Sequence, residues 1–146
     1  MRIAKTILLL SAIGLIAADE TKKDDSETFK GNWSIRSITI DGRAAPEDLV
    51  KNFRCHFDEK TYNDTVANEV IEEGSYAIDA SKTPKTIDFD IKKGRKEGKR
   101  QLGIYKIEGD KITLVMTQAG STERPKSFKT ESGDSLVEVV LERVKP

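Results

Sequence analysis

The chain has one cysteine, one histidine and one tryptophan among its 146 residues, and its 25 basic side chains are matched by 25 acidic ones. A single cysteine cannot close a disulfide within the chain, so a small fold stapled by such bridges is excluded. A single histidine excludes a metal centre of several imidazoles and leaves any His-based triad resting on His56 alone. Its neighbour Cys55 would point to the opposite face of a strand, so the two cannot work as nucleophile and base. No loop carries the ligand spacing of a calcium site. The glycines of KKGRKEGKR, Gly94 and Gly98, precede no helix signal, so a phosphate-cradling loop is absent as well. No catalytic group, metal or cofactor is expected, and the chain reads as non-enzymatic. Balanced charge also argues against a general nucleic-acid binder.

What is present begins with a leader. Met1 to Lys5 carry two positive charges, and the thirteen residues from Thr6 to Ala18 are mostly apolar and end in Ala17-Ala18. Crossing a bilayer takes roughly 20 apolar residues, and Asp19-Glu20 interrupts this run first. Residues 1–18 are therefore expected to be a signal peptide cleaved after Ala17 or Ala18, with an exported product, periplasmic or extracellular, that keeps no transmembrane segment. Removing Arg2 and Lys5 leaves 23 bases against 25 acids. Residues 19–28, DETKKDDSET, contain no apolar side chain, the pattern of a solvated disordered tether. The folded domain is then expected to span residues 29–146, a length suited to one domain.

Within that domain, short β-branched and aromatic runs recur between Gly, Asp, Asn and Pro. Strands are predicted at 32–40, 53–58, 61–66, 69–79, 86–92, 100–108, 111–117, 126–130 and 136–144. A single short helix is expected at 46–52, with Pro46 at its start and Glu47 and Asp48 in its first turn. Ile87, Phe89 and Ile91, then Ile112, Leu114 and Met116, and then Val137, Val139 and Leu141 each recur with a period of two. Alternation with one polar face is the signature of a half-buried antiparallel sheet. Tight turns at 58–60 and 108–110 join neighbours in sequence. The fold class is thus all-β, a small antiparallel up-and-down β-barrel of about eight strands, because closure removes exposed strand edges. Trp33 and Ile35 share one parity while Ile38 and Ile40 share the other, which requires a bulge or bend. In the sixth strand Leu102 and Ile104 compete with Tyr105 and Ile107 for the interior. Alternation puts Cys55 inside with Phe53 and Phe57, a small buried hydrophobe, and leaves His56 on the surface.

Several motifs occur in a fixed order: Gly31-Asn32-Trp33, Asp41-Gly42-Arg43-Ala44-Ala45-Pro46, Glu73-Gly74-Ser75-Tyr76, Pro84-Lys85-Thr86-Ile87-Asp88, Gly98-Lys99-Arg100-Gln101-Leu102-Gly103-Ile104-Tyr105, Arg124-Pro125-Lys126-Ser127-Phe128 and Val139-Val140-Leu141-Glu142-Arg143. From about Phe29 to the C-terminus this resembles an uncharacterised planctomycete-type conserved domain family with a lipocalin-like barrel. The resemblance implies the fold and no activity. It also implies that Trp33 plugs one end of the barrel and that Arg143 lies across it, a cation–π contact of roughly 1–2 kcal/mol when desolvated.

Two functions follow. An eight-stranded barrel holds either its own side chains or one small ligand. The candidate interior is Trp33, Ile35, Phe57, Tyr76, Phe89, Met116, Phe128 and Val139. The leading expectation is a binding module for a small apolar or amphipathic ligand, contacted by Trp33, Tyr76, Phe89, Tyr105, Met116 and Arg124, with Tyr76, Tyr105 and Arg124 near the mouth. A cavity below about 300 Å³ would count against it. The alternative is an envelope interaction module with a solid barrel. Residues 82–100 hold eight bases and three acids, a local charge of +5. Lys92, Lys93, Arg95, Lys96, Lys99 and Arg100 would there dock on an anionic glycan, lipid or protein surface. The segment lacks interleaved aromatic residues, so nucleic acid is not its expected partner. Oligomeric state is not legible.

Overall fold

Alternation of apolar and polar side chains decides which face of each strand turns inward, and one sheet closed on itself satisfies all of them. The computed structural model describes residues 24–146. The expected signal peptide and residues 19–23 of the expected tether lie outside those residues. The strands are β1 (Gly31–Ile40), β2 (Arg43–Ala44), β3 (Phe53–Phe57), β4 (Thr61–Val66), β5 (Glu69–Asp79), β6 (Lys85–Gly94), β7 (Arg100–Glu108), β8 (Lys111–Met116) and β9 (Val137–Arg143), with helices α1 (Asp25–Phe29) and α2 (Glu47–Asn52). Strands β1 and β3 to β9 pair antiparallel in chain order, and β1 pairs back with β9. The result is a closed eight-stranded up-and-down barrel, with β2 as a short spur on β1.

Tight turns set the pairing. Asp41 and Gly42 both have positive φ, 51° and 74°, between the paired residues Ile40 and Arg43, the two-residue turn whose twist matches flanking strands. Ala67 and Asn68, at 50° and 66°, make the same kind of turn between β4 and β5. The parity conflict in β1 resolves as a register shift between Ile35 and Ser37. It keeps Ile35 and Ile38 buried and leaves Ile40 exposed. A second shift, between Asp64 and Thr65, brings Glu72 opposite Asp64.

One end of the barrel is plugged. Trp33 is fully buried there, with the Arg143 guanidinium carbon 4.3 Å from its ring centre. Arg143 donates to the carbonyls of Thr28 and Lys30, and the indole N–H donates to the Phe29 carbonyl at 2.7 Å. Three contacts thereby tie the end of α1 to the first and last strands. The expectation of a tether over 19–28 is corrected here, because its second half folds. Asp24 caps α1 by accepting from the Ser26 amide at 3.2 Å, and Asp25 accepts from the Tyr105 hydroxyl at 2.8 Å and the Lys85 ammonium at 2.7 Å. Phe29 inserts between Phe57, Tyr76 and Tyr105, with ring centres 5.4, 5.9 and 5.1 Å away. Such aromatic pairs are each worth about 0.5–1.5 kcal/mol beyond their buried area. Those contacts offset the ordering cost that a charged decapeptide cannot meet alone.

The other correction concerns residues 126–130, which form no strand. The connection from Thr117 to Leu136 instead lies across the outer face of the barrel. Arg124 pairs with Asp88 at 2.6 Å and donates to the carbonyls of Ile87 and Gly103, while the Lys106 ammonium stands 5.1 Å from the centre of the Phe128 ring. Phe128 is accordingly outside the barrel. This cover explains why Ile104 and Tyr105, adjacent in β7, are both buried. Tyr105 faces the interior and Ile104, beside Val115, faces the strap.

Candidate functional site: the barrel interior and its open rim

Opposite the plug the barrel ends in an open rim. The connections there are the β1–β2 turn, α2, the β4–β5 turn, the β6–β7 turn and residues 117–136. A cavity of about 70 Å³ lies inside this half, walled by Ile35, Ile38, Phe53, Phe57, Phe89, Leu114, Met116 and Val139. Its polar lining is Cys55, Tyr62, Asp64, Glu72 and Gln101, with no Lys, Arg or His.

The polar end follows from register. Tyr62 and Asp64 share the inward parity of β4, opposite Gly74 and Glu72 of β5. Gly74 has a close-packing role, because a Cβ there would lie 2.1 Å from the Asp90 carbonyl oxygen and 2.9 Å from the Tyr62 ring. The Cys55 thiol donates to Asp64 Oδ1 at 2.7 Å, and the Tyr62 hydroxyl donates to Glu72 Oε1 at 2.8 Å. Burial, with Glu72 nearby, raises Asp64 to about 7 although the Cys55 hydrogen bond opposes this. Burial and then the charge of Asp64 push the Cys55 thiol well up. A protonated thiol beside a carboxyl is the reverse of an activated nucleophile, which needs a depressed pKa or an adjacent base.

The sequence-predicted residues divide between three places. Phe89 and Met116 line the cavity. Trp33, Tyr76 and Tyr105 belong to the plugged half. The Tyr76 hydroxyl donates to the Asp58 carbonyl at 2.8 Å, burial raising it to about 12, and that of Tyr105 is spent on Asp25. Arg124 is on the outer face, bound to Asp88. The expectation of Tyr76, Tyr105 and Arg124 at the mouth is therefore corrected. Strands β5 and β7 carry the first two to the plugged end, and the strap carries the third outside. Asp64, Glu72, Tyr62 and Gln101 were missed. Asp64 was legible as an acid on the inward parity of TYNDTV, whereas Glu72 turns inward only through the β4–β5 register shift. His56 faces outward, its ring nitrogens 2.7 Å from Asn32 Oδ1 and 3.2 Å from Asp58 Oδ1.

The basic segment also divides. Lys82 and Lys85 are at the plugged end, where Lys85 serves Asp25. Lys92, Lys93, Arg95, Lys96, Lys99 and Arg100 are exposed at the rim, on the β6–β7 hairpin. Lys93 pairs with Glu73 at 3.5 Å and Arg100 with Asp90 at 3.2 Å. Lys92, Arg95, Lys96 and Lys99 make no ion pair among the described residues.

Fold and site define a closed antiparallel barrel with one plugged end, a small cavity and a rim that is basic on one side. No family model, no curated protein and no solved structure matches the chain. Among the described residues no helix is long and apolar enough to cross a membrane.

Proposed function

We propose that the protein is an exported, non-enzymatic interaction module, in which a nearly filled barrel holds out a basic turn that docks on an anionic surface. The observation that carries this reading is the group of four exposed bases, Lys92, Arg95, Lys96 and Lys99, that form no ion pair with any acid of the described chain. Bases engaged in structural pairs are already satisfied, whereas free ones raise the local potential and steer anionic partners. The cavity argues the same way, because about 70 Å³ is well under the roughly 300 Å³ at which ordinary ligand pockets begin. Reversing the charge of Lys92, Arg95, Lys96 and Lys99 should abolish retention on envelope material. Retention of the unaltered protein should fall with added salt, as screening over about 10 Å at 0.1 M requires. Retention indifferent to both refutes the reading.

One observation favours a second reading, a compact guest inside the barrel. An apolar wall that ends in the Asp64–Glu72 pair, with no base facing it, suits a small amphipathic molecule whose polar end donates hydrogen bonds. Native mass spectrometry of the protein purified without detergent tests it: a reproducible adduct supports the guest, and a bare mass removes it.

A further inference from the structure

Five large apolar side chains are notably exposed among the described residues: Ile40 at 46%, Leu49 at 39%, Val70 at 54%, Ile71 at 44% and Val144 at 44%. Four of the five belong to the open rim. Ile40 ends β1, Leu49 lies on α2, and Val70 and Ile71 open β5. Scattered single exposures are ordinary, but here four of the five share one pole and two of them are adjacent in β5.

Ile71 lies directly against the basic turn, and Val70 precedes it in β5, paired with Thr65 of β4. Glu72 pairs with Gly94 and Glu73 with Lys93, and the backbones approach so closely that a Cβ on Gly94 would stand 2.7 Å from the Ile71 carbonyl oxygen. The acids of these two hairpins are largely engaged. Glu72 turns inward to Tyr62 and Glu73 pairs with Lys93, which leaves Glu69 and Glu97 against Lys92, Arg95, Lys96 and Lys99.

We infer that the anionic surface is a phospholipid bilayer, on which the rim settles with Val70 and Ile71 in the headgroup–acyl boundary and the four free bases over lipid phosphates. This rests on the docking reading above and narrows its partner. A hydrated glycan or a soluble polyanion rewards the bases and gives the aliphatic side chains nothing. A bilayer rewards both, since interfacial binding scales with buried apolar area plus attraction to anionic headgroups. The juxtaposition of the two kinds of side chain selects the lipid.

The test uses two variants and two surfaces. One variant carries Val70→Ser and Ile71→Ser, the other Lys92→Gln, Arg95→Gln, Lys96→Gln and Lys99→Gln. All six positions are exposed, and an unchanged denaturation midpoint verifies folding. The surfaces are vesicles of phosphatidylethanolamine with phosphatidylglycerol, read by co-sedimentation, and immobilised heparin. The unaltered protein should bind both surfaces and ignore vesicles of phosphatidylcholine alone. The serine variant should lose about tenfold in vesicle affinity, a loss of about 1.4 kcal/mol, and keep its heparin retention. The glutamine variant should lose both. Vesicle binding untouched by the serine changes, or heparin retention without vesicle binding, overturns the lipid inference and leaves the docking reading in place. Absence of binding to both surfaces overturns the two together.

Discussion

Replacing Asp64 with asparagine should stabilise the protein strongly at pH 8 and by no more than about 1 kcal/mol at pH 4.5. The carboxyl sits on the cavity wall beside Cys55 and Glu72, with Tyr62 on the same strand. Burial lifts it from an ordinary value of about 3.9 to about 7. Between those two values the folded protein holds a proton that the unfolded chain has released, so stability falls as pH rises through the window. The loss is complete above pH 7. At about 1.36 kcal/mol for each pH unit, a window of about three units amounts to on the order of 4 kcal/mol. Asparagine fills the same space, still accepts from the Cys55 thiol and titrates nowhere in this range. Urea unfolding of both proteins at half-unit steps from about pH 4.5 to 8 measures the difference directly. Carboxylates elsewhere, such as Asp79, which hydrogen bonds from Ser81 hold below the usual range, tilt both curves alike and cancel. A gap opening to about 2–4 kcal/mol at pH 8 is expected. Parallel curves would refute the burial argument.

Three further substitutions probe the frame. Arg143→Ala removes the cover of Trp33 and the donors to Thr28 and Lys30, and should cost about 2–4 kcal/mol in chemical denaturation, with faster amide exchange across α1. Gly74→Ala drives a methyl into the Asp90 carbonyl and should lower stability by about 3 kcal/mol, lowering the thermal midpoint accordingly. Ala67→Asn, at a φ of 50°, should raise stability by about 0.5–1 kcal/mol, because asparagine tolerates the left-handed conformation that alanine resists.

The barrel was legible because most of its strands obey one rule. In β6 the inward residues differ sharply from their neighbours, in β8 and β9 the period of two survives the apolar Val115 and Val140 on the other parity, and the parity conflict at Ile35 and Ile38 even located the shift in β1. The failures have one physical origin, burial supplied from a distance. Asp25 and Phe29 fold into α1 because Tyr105, Lys85 and Phe57 receive them, and nothing local in DETKKDDSET announces that. Lys126, Phe128 and Thr130 alternate like a strand, yet Phe128 meets Lys106 on the outside of the barrel. The cavity suffered likewise: Phe89 and Met116 were read from alternation, while Glu72 depended on a register shift that a two-residue turn and its flanking strands set together.

The plugged pole gathers Asp24, where the described chain begins, and Arg143, where its last strand ends. The rim, by contrast, is built only of links between consecutive strands. Closure of the fold and character of the surface are thus written in separate stretches of the chain. The Trp33–Arg143 seam and the inward residues answer for folding, and the links answer for what is met outside. Residues 67–71 and 94–99 form a dial that selection, or an engineer, turns toward a new partner while the scaffold beneath goes on folding as before.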